Sequence, residues 1–348
     1  MKLPPLPLPS PGPRLRRLAS ALRQRALALR GIALPGGLSL WITLLSMGFV
    51  LAALVGHGRR MLQLSLDPQG WWWLLLAVGF SLLSLVVNAL GLGAVLRWLQ
   101  LRPLWPPLVI LYLDTNLRKF LPGGVWHLAG RLGPLRSADG PLRQSAPLSL
   151  ALVAVLLDPL LAAVAALALV ALAGWQNGLN LLGLLPLALL WPRWLAPLLE
   201  RLERRQARRL KLDPEALGDG LRQALSGYPW PPLLVQLVFV LLRFAGFACC
   251  VLAFDLQTSL SWSGWLAGFA LAWAIGLVVP GAPGGLGVFE AALLLRLGGA
   301  IPEAPLLAIA LSYRLVATLA DALGAGCARL DGWLQRRAQP EGQSRLQL

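Results

Sequence analysis

Long apolar segments alternate with short basic loops along most of this chain. A helix needs about 20 residues to cross the hydrocarbon core of a bilayer. Five apolar segments reach that length: 38–56, 71–96, 147–173, 231–254 and 305–326. A sixth segment, 179–199, is weaker because two prolines and an arginine interrupt it. The pattern predicts an all-α, polytopic membrane protein with about six full spans.

Two further apolar segments are broken by a Pro-Gly-Gly sequence. Segment 104–133 contains KFLPGGVW, and segment 262–298 contains PGAPGGLGVFE. Proline removes a backbone donor and clashes with the preceding helical turn, and glycine loosens the helix further. Each segment therefore predicts a re-entrant, broken-helix hairpin that returns to the side it entered from. The helix-breaking residues that we assign are Pro122, Pro280 and Pro283.

The order of spans and hairpins repeats along the chain. Residues 38–173 and 179–326 each give span, span, hairpin, span. Basic residues gather in both tails, at the flanks of the first hairpin and in loop 200–228, which the positive-inside rule assigns to the cytoplasmic side. The two halves then start from opposite sides, which predicts an inverted repeat with a midplane site of the transporter type. The alternative is two unrelated helix kinks, which are common in membrane helices.

These patterns divide the chain into three parts. Residues 1–37 form a basic, proline-rich cytoplasmic tail, 38–326 form the transmembrane domain, and 327–348 form a second cytoplasmic tail. No continuous apolar segment precedes residue 38, so a cleavable signal peptide is not expected. We expect a multi-pass protein of the inner (plasma) membrane with both termini in the cytoplasm.

Composition supports the membrane class and limits the partners. The chain is 57% hydrophobic and 13% charged, whereas soluble domains carry about 25% charged residues. The net charge of +16 would suit nucleic acid, but the basic residues lie in tails and loops and not in a soluble basic domain. We therefore expect no nucleic-acid partner. The three cysteines lie in apolar stretches without metal-ligand spacing, so no metal or cofactor is expected.

Charged residues inside apolar segments are the first candidates for function, because burying them in a membrane is costly. Asp158, Arg243, Glu290 and Arg314 lie near the middle of such segments, and Asp321 follows Arg314 by two turns on the same helix face. In one interpretation they form ion pairs between helices, with Asp158 as a partner for Arg243 and Asp321 as a further pairing acid. In the other, the arginines bind an anionic lipid headgroup through a bidentate fork.

The two breaks offer further donors for a phosphate. Glycines let a ligand approach the backbone, and a helix that restarts after them presents free N–H groups. Glu290 lies one turn inside such a helix, where it can reach back to those groups or meet Arg314. Lys119 can instead snorkel to the interface, His127 can be structural, and Trp126 can be an interfacial anchor. The substrate-binding residues that we predict are Asn116, Lys119, Gly123, Gly124, Trp126, His127, Arg131, Arg243, Gly284, Gly285, Gly287, Glu290 and Arg314.

Enzymatic motifs are missing from the sequence. It contains no Walker A motif, no G-x-S-x-G elbow and only two histidines. We expect the protein not to be an enzyme, and any transport to be passive or driven by an ion gradient. One alternative is an enzyme, or enzyme subunit, of lipid or lipid-linked-glycan synthesis that uses His127 with Glu290 or Asp158 for acid–base chemistry. Another is a scaffold for other membrane proteins.

Three motifs, LPGGVWHLAGR, PGAPGGLGVFE and SYRLVATLAD, resemble the flippase-like transmembrane region of lysylphosphatidylglycerol synthases. This region also occurs as stand-alone proteins of the YbhN/AglD type. The resemblance covers most of residues 38–326. The positions that match the family's motifs are Asn116, Lys119, Pro122, Gly123, Trp126, Pro283, Gly284, Gly285, Gly287, Glu290 and Arg314.

The resemblance implies a lipid flippase or translocator. In two-part members, this region moves an aminoacylated phospholipid between leaflets, and a separate soluble domain makes that lipid. The sequence ends 22 residues after the last span, so we expect no aminoacyl-transfer domain. The implied substrate is an anionic or modified phospholipid or a lipid-linked intermediate. A homo-oligomer or a lipid-synthesising partner enzyme is the other expected partner.

Overall fold

Ten α-helices make up most of the part of the chain that the structure describes. The computed structural model describes residues 67–121, 126–174, 178–209, 225, 227–279 and 283–338, and they contain no β-strand. The helices are α1 (Pro68–Trp98), α2 (Trp105–Asn116), α3 (Trp126–Arg136), α4 (Leu148–Ala173), α5 (Leu185–Leu189), α6 (Pro192–Arg209), α7 (Trp230–Ala253), α8 (Trp262–Val278), α9 (Val288–Leu297) and α10 (Glu303–Ala338). Short 3₁₀ segments cover Leu117–Phe120, Gly178–Leu184 and Pro283–Gly285. The predicted span 38–56 lies outside the described residues, as do Pro122, Gly123, Gly124 and Pro280.

Four described helices are long and apolar enough to cross a membrane: α1, α4, α7 and the Glu303–Gln335 part of α10. They coincide with four of the predicted spans, so the prediction of an all-helical, multi-pass membrane fold is confirmed. Local chemistry fixes the start of α1. At α1, the Asp67 side chain accepts a hydrogen bond of 2.6 Å from the Gly70 N–H, and Pro68 occupies the first turn, where its missing N–H costs nothing.

The weaker predicted span, 179–199, is bent in the structure. Its two parts, Asn180–Leu189 and Pro192–Leu202, meet at 82°. Leu195 and Leu199 are buried one turn apart on α6, whereas Trp194 is exposed, and α6 packs against α4. The described residues therefore hold four straight spans and at most one further, bent span.

The second spans of the two halves, α1 and α7, pack against each other. A Cβ atom added to Gly91 of α1 would lie 2.7 Å from Gln236 Nε2, and one added to Gly246 of α7 would lie 3.0 Å from Ser81 Oγ. These contacts pair the end of one helix with the start of the other, so α1 and α7 run antiparallel. Glycine allows the two backbones to approach closely, as small residues commonly do between membrane helices.

Each broken segment packs against the last span of the opposite half. The first hairpin's leading helix, α2, lies against α10, and the second hairpin's leading helix, α8, lies against α4. The tips of the two hairpins, Leu117–Phe120 and Pro283–Gly285, touch each other. This exchanged packing, together with the antiparallel α1 and α7, is the arrangement that an inverted repeat predicts. It brings the two described hairpin tips to one point.

Two apolar clusters flank that point. One is mainly aliphatic and is built around α4. The other is aromatic: Phe247 lies 5.0 Å from Phe269 and 5.7 Å from Tyr313 between ring centroids, and Phe289 completes the group. Because Phe289 and Tyr313 precede Glu290 and Arg314 in sequence, aromatic packing fixes the backbone from which these two charged side chains extend.

Candidate functional site

A cavity of about 370 Å³ lies where the two hairpin tips meet. Its size falls within the range of small-molecule pockets, about 300–1,000 Å³. Residues of α1, α2, α3, α4, α7, α8, α9 and α10 line it, together with both 3₁₀ tips. Three groups of charged residues surround the cavity, and each one contains a buried carboxylate.

The first charged group belongs to the first half of the chain. Asp158 accepts hydrogen bonds from Gln236 Nε2 (2.6 Å) at Oδ1, and from Tyr112 Oη (3.1 Å) and Arg131 Nη1 (3.5 Å) at Oδ2. Arg131 also donates through Nε to Thr115 Oγ1 at 3.2 Å, and its guanidinium lies 3.6 Å from the centre of the Tyr112 ring. Arg131 is 2% exposed and Asp158 is 3% exposed. Protein groups therefore already hold this arginine on several sides.

The second charged group holds the break of the second hairpin. Arg314 donates from Nε to Glu290 Oε1 at 2.8 Å, and from its two Nη atoms to the carbonyls of Gly284 (2.6 Å) and Gly285 (2.5 Å). Glu290 Oε2 accepts the Gly287 N–H at 2.7 Å. A broken helix leaves carbonyl and N–H groups without helical partners, and lipid offers none. Arg314 and Glu290 supply those partners.

Glycine is required at this break for conformational reasons. Gly284, Gly285 and Gly287 have φ angles of 58°, 73° and 77°. A side chain strains the backbone in this region, whereas glycine adopts it freely. The P-G-G-x-G motif of the sequence therefore encodes the shape of the break.

The third charged group joins the two halves. Asp321 of α10 accepts from Asn116 Nδ2 at 2.7 Å through Oδ1, and Lys119 Nζ lies 2.6 Å from Oδ2. Arg243 Nη2 of α7 lies 3.9 Å from Oδ1. Arg243 is 5% exposed, and its Nε has no hydrogen-bond partner. In this Lys119–Asp321–Arg243 triad, two cations share one carboxylate.

The pairing of Arg243 differs from our expectation. The sequence interpretation assigned Asp158 to Arg243, but the structure pairs Arg243 with Asp321 and Asp158 with Arg131. Position along α7 explains the difference. Gln236 is the α7 residue that meets Asp158, and Arg243 lies seven residues later on the same face, about 10 Å further along the helix.

Ten of the charged, polar and glycine positions singled out from the sequence line the cavity: Asn116, Lys119, His127, Arg131, Asp158, Arg243, Gly284, Gly285, Arg314 and Asp321. Glu290 and Gly287 are buried behind this wall and act on it through Arg314 and the break. Trp126, the first residue of α3, is about half exposed, a position that suits an interfacial anchor. Gly123 and Gly124 lie outside the described residues.

Apart from Asn116 and His127, the sequence interpretation missed the uncharged polar residues of the site. Asn88, Tyr112 and Thr115 were not singled out, nor was Gln236, which donates both to Asp158 and to Asn88 Oδ1. The signal was present, since Asn88 and Gln236 are amides in the middle of apolar spans. The cost of an unpaired polar group in a membrane applies to amides as well as to charges.

Metal binding has no visible basis in the described part of the chain. Within it, no group of three or more His, Cys, Asp or Glu side chains is close enough to hold an ion. Cys249 and Cys250 are buried and Cys327 is exposed, all three as free thiols.

The fold and site define a multi-pass helical membrane protein with two broken helices meeting at a charged internal cavity. Residues 32–324 match the family model of the lysylphosphatidylglycerol synthase TM region. Since the match covers most of the chain, the protein belongs to this family, as the sequence motifs predicted. No curated protein matches the chain.

Proposed function

We propose that this protein moves a phosphate-bearing lipid between the leaflets, with the lipid headgroup in the cavity. The Lys119–Asp321–Arg243 triad is the observation that carries the proposal. Two cations share one carboxylate there, and Arg243 Nε is buried without a partner. A phosphate supplies the missing acceptors, because a guanidinium binds phosphate oxygens through parallel N–H donors.

The surroundings of the cavity favour a lipid over a water-soluble anion. Leu277 and Val278 line the cavity and are also exposed at the surface, Val278 to 66%. Leu121, next to the first hairpin tip, is exposed as well. In a membrane protein, such apolar surface faces acyl chains. A headgroup in the cavity can therefore remain attached to chains in the bilayer.

The meeting of the hairpin tips supplies a place for alternating access. A Cβ atom added to Gly284 would lie 2.7 Å from Phe120 Cε1, so the Phe120 ring rests directly on the second break. Lys119 and Asp321 join the same two halves across the cavity. Rocking of one repeat against the other, as in other inverted-repeat transporters, would separate these contacts. A phosphate that replaces Asp321 as the partner of Lys119 would favour that separation.

The same geometry supports a transporter over an enzyme. The acid–base alternative needs His127 with a free Glu290 or Asp158. Glu290 is bound to Arg314 and the Gly287 N–H, and Asp158 is bound to Arg131, Tyr112 and Gln236. Neither carboxylate is free to take a proton from a substrate. Our proposal is accordingly that the protein is not an enzyme.

The proposal includes a cellular setting. We place the protein in the inner (plasma) membrane with both termini cytoplasmic, because its basic residues gather in the tails and in loop 200–228. A homo-oligomer or a lipid-synthesising enzyme is the partner we propose besides the lipid, and nucleic acid is not one.

Leaflet exchange in proteoliposomes tests the function. Fluorescent phosphatidylglycerol in the outer leaflet is bleached by dithionite, and exchange shows as loss of the protected fraction. Arg243→Gln removes charge-assisted hydrogen bonds worth about 1.5–3 kcal/mol, so we expect exchange to slow at least about tenfold. The matched control is Arg296→Gln, which removes an exposed arginine of α9 that does not line the cavity.

Two results would contradict the proposal. One is wild-type exchange no faster than in protein-free vesicles. The other is exchange by Arg243→Gln at the wild-type rate, with both proteins folded by thermal-shift assay.

A further inference from the structure

Every carboxylate oxygen around the cavity already has a hydrogen-bond donor or, at Asp321 Oδ2, a cation as an ion-pair partner. Asp158 binds Gln236 at Oδ1, and Tyr112 and Arg131 at Oδ2. The two Asp321 oxygens face Asn116 and Lys119. The two oxygens of Glu290 are taken by Arg314 and by the Gly287 N–H. The site therefore has no free anionic acceptor to offer an incoming ligand.

Donors are in surplus at the same place. Within the described part of the chain, four cations stand at the cavity against these three carboxylates: Lys119, Arg131, Arg243 and Arg314. The pairs Arg131–Asp158 and Arg314–Glu290 are each balanced. The remaining positive charge belongs to the triad, where Arg243 Nε lacks a partner and the Lys119 side chain is 24% exposed.

The cavity wall also has a neutral polar position. His127 lines the cavity, and its Nδ1 is buried without a hydrogen-bond partner. An imidazole nitrogen can bond a hydroxyl group as donor or as acceptor. A ligand that places hydroxyl groups beside its phosphate can therefore use His127 without bringing a second charge.

We infer that the transported lipid is a net anionic phosphodiester, and this inference rests on the proposed function. The substituent on its phosphate is uncharged and carries hydroxyl groups, as glycerol or a sugar does. One negative charge on the phosphodiester balances the one positive charge of the triad. A headgroup with ammonium groups, such as an aminoacyl ester, would add cations where all three carboxylates are already bound. Like charges held together in a binding site oppose binding, so the site disfavours this class of headgroup.

Paired lipid probes in wild-type proteoliposomes test the inference. Phosphatidylglycerol and its lysyl ester share the phosphate and the glycerol, and they differ by two ammonium groups. Phosphatidylethanolamine serves as the zwitterionic reference. We expect phosphatidylglycerol to exchange at least about tenfold faster than the lysyl ester, a difference of about 1.4 kcal/mol, with phosphatidylethanolamine between them.

The outcomes separate the inference from the function on which it rests. Exchange of the lysyl ester as fast as or faster than phosphatidylglycerol would overturn the inference and leave the translocator standing. Exchange of none of the three lipids would overturn the translocator, and the inference with it. A clear preference for phosphatidylglycerol supports both.

Lys119→Gln is a second test of the surplus positive charge of the triad. The variant removes the surplus cation and leaves Arg243 and Asp321 balanced, and Lys119 is partly exposed, so the fold should tolerate the change. We expect the preference for phosphatidylglycerol over phosphatidylethanolamine to fall at least about threefold, because the variant removes one charged donor to the phosphate. Arg296→Gln is the control that keeps the ratio. An unchanged ratio in Lys119→Gln would contradict the assignment of the surplus charge to the triad.

Discussion

Each half of this protein has a buried ion pair between the second helix of its hairpin and its last span, and the acid and the cation are exchanged between the two halves. In the first half, the hairpin's second helix carries the cation and the last span carries the acid, as Arg131 and Asp158. In the second half, the hairpin's second helix carries the acid and the last span carries the cation, as Glu290 and Arg314. Both pairs join corresponding helices, α3 with α4 and α9 with α10. The architecture repeats, whereas the chemistry does not.

The partners of the two arginines show what the difference means. Arg131 is held by side chains, those of Asp158, Thr115 and the Tyr112 ring. Arg314 is held by the Glu290 carboxylate and the Phe289 ring and, in addition, by two backbone carbonyls of the break. The first pair thus joins two helices, and the second maintains a non-helical backbone. The first pair can in principle be replaced by apolar packing, but the second cannot.

The third buried carboxylate, Asp321, belongs to neither of these two ion pairs. Asp321 lies on the last span of the second half, but Asn116 and Lys119 reach it from the first hairpin. In the proposed rocking motion, this charged contact between the halves would change. The comparison therefore separates two ion pairs that each lie within one half from one carboxylate that side chains of both halves contact.

Paired substitutions give the largest effect and test the comparison directly. Arg131→Met or Arg314→Met alone should destabilise by about 3–5 kcal/mol, because each leaves a buried carboxylate without its cation. Adding Asp158→Asn should restore most of the stability of Arg131→Met. Adding Glu290→Gln should not restore Arg314→Met, since the Gly284 and Gly285 carbonyls remain without donors. Thermal unfolding in detergent measures this, and equal rescue in both halves would refute the distinction.

Glu290→Gln alone should give a smaller loss of stability, and it tests how far the break depends on the Glu290 carboxylate. Its amide retains one acceptor for Arg314 but loses the negative charge, and its NH₂ group would face the Gly287 N–H. We expect a destabilisation of about 1–3 kcal/mol and slower lipid exchange. Glu303→Gln is the matched control, because Glu303 is exposed in the first turn of α10. Similar losses in the two variants would mean that the break does not depend on Glu290.

Alanine at the break should give the smallest effect. Gly284→Ala and Gly285→Ala force a side chain into the left-handed region, which costs about 1–2 kcal/mol. At Gly285 the new Cβ would also lie 3.0 Å from the Gly276 carbonyl oxygen. We expect lower stability and slower exchange, with Gly285 the more sensitive position because backbone cannot move aside as the Phe120 ring can. Gly79→Ala is the control, since no atom lies within 4 Å of its added Cβ.

The local rules of the sequence were enough to predict the class of fold and the break. Hydropathy and length gave four spans that the structure contains, because a bilayer accepts only apolar helices of that length. Proline and glycine marked the second break, since both act on their own backbone. For Glu290 the sequence left two alternatives, the free N–H groups of the restarted helix or Arg314, because a position one turn inside that helix limits what the side chain can reach. The structure contains both contacts.

Tertiary structure alone decided which acid each remaining cation meets. The sequence placed Asp158, Asp321 and Arg243 inside spans and Arg131 just after the first break, and the pairing that it suggested, Asp158 with Arg243, differs from the pairs in the structure. Partner choice depends on the depth and rotation of helices that are distant in sequence. Seven residues along α7 separate Gln236, which meets Asp158, from Arg243, which meets Asp321. The triad and its surplus positive charge arise from that offset, which no local pattern encodes.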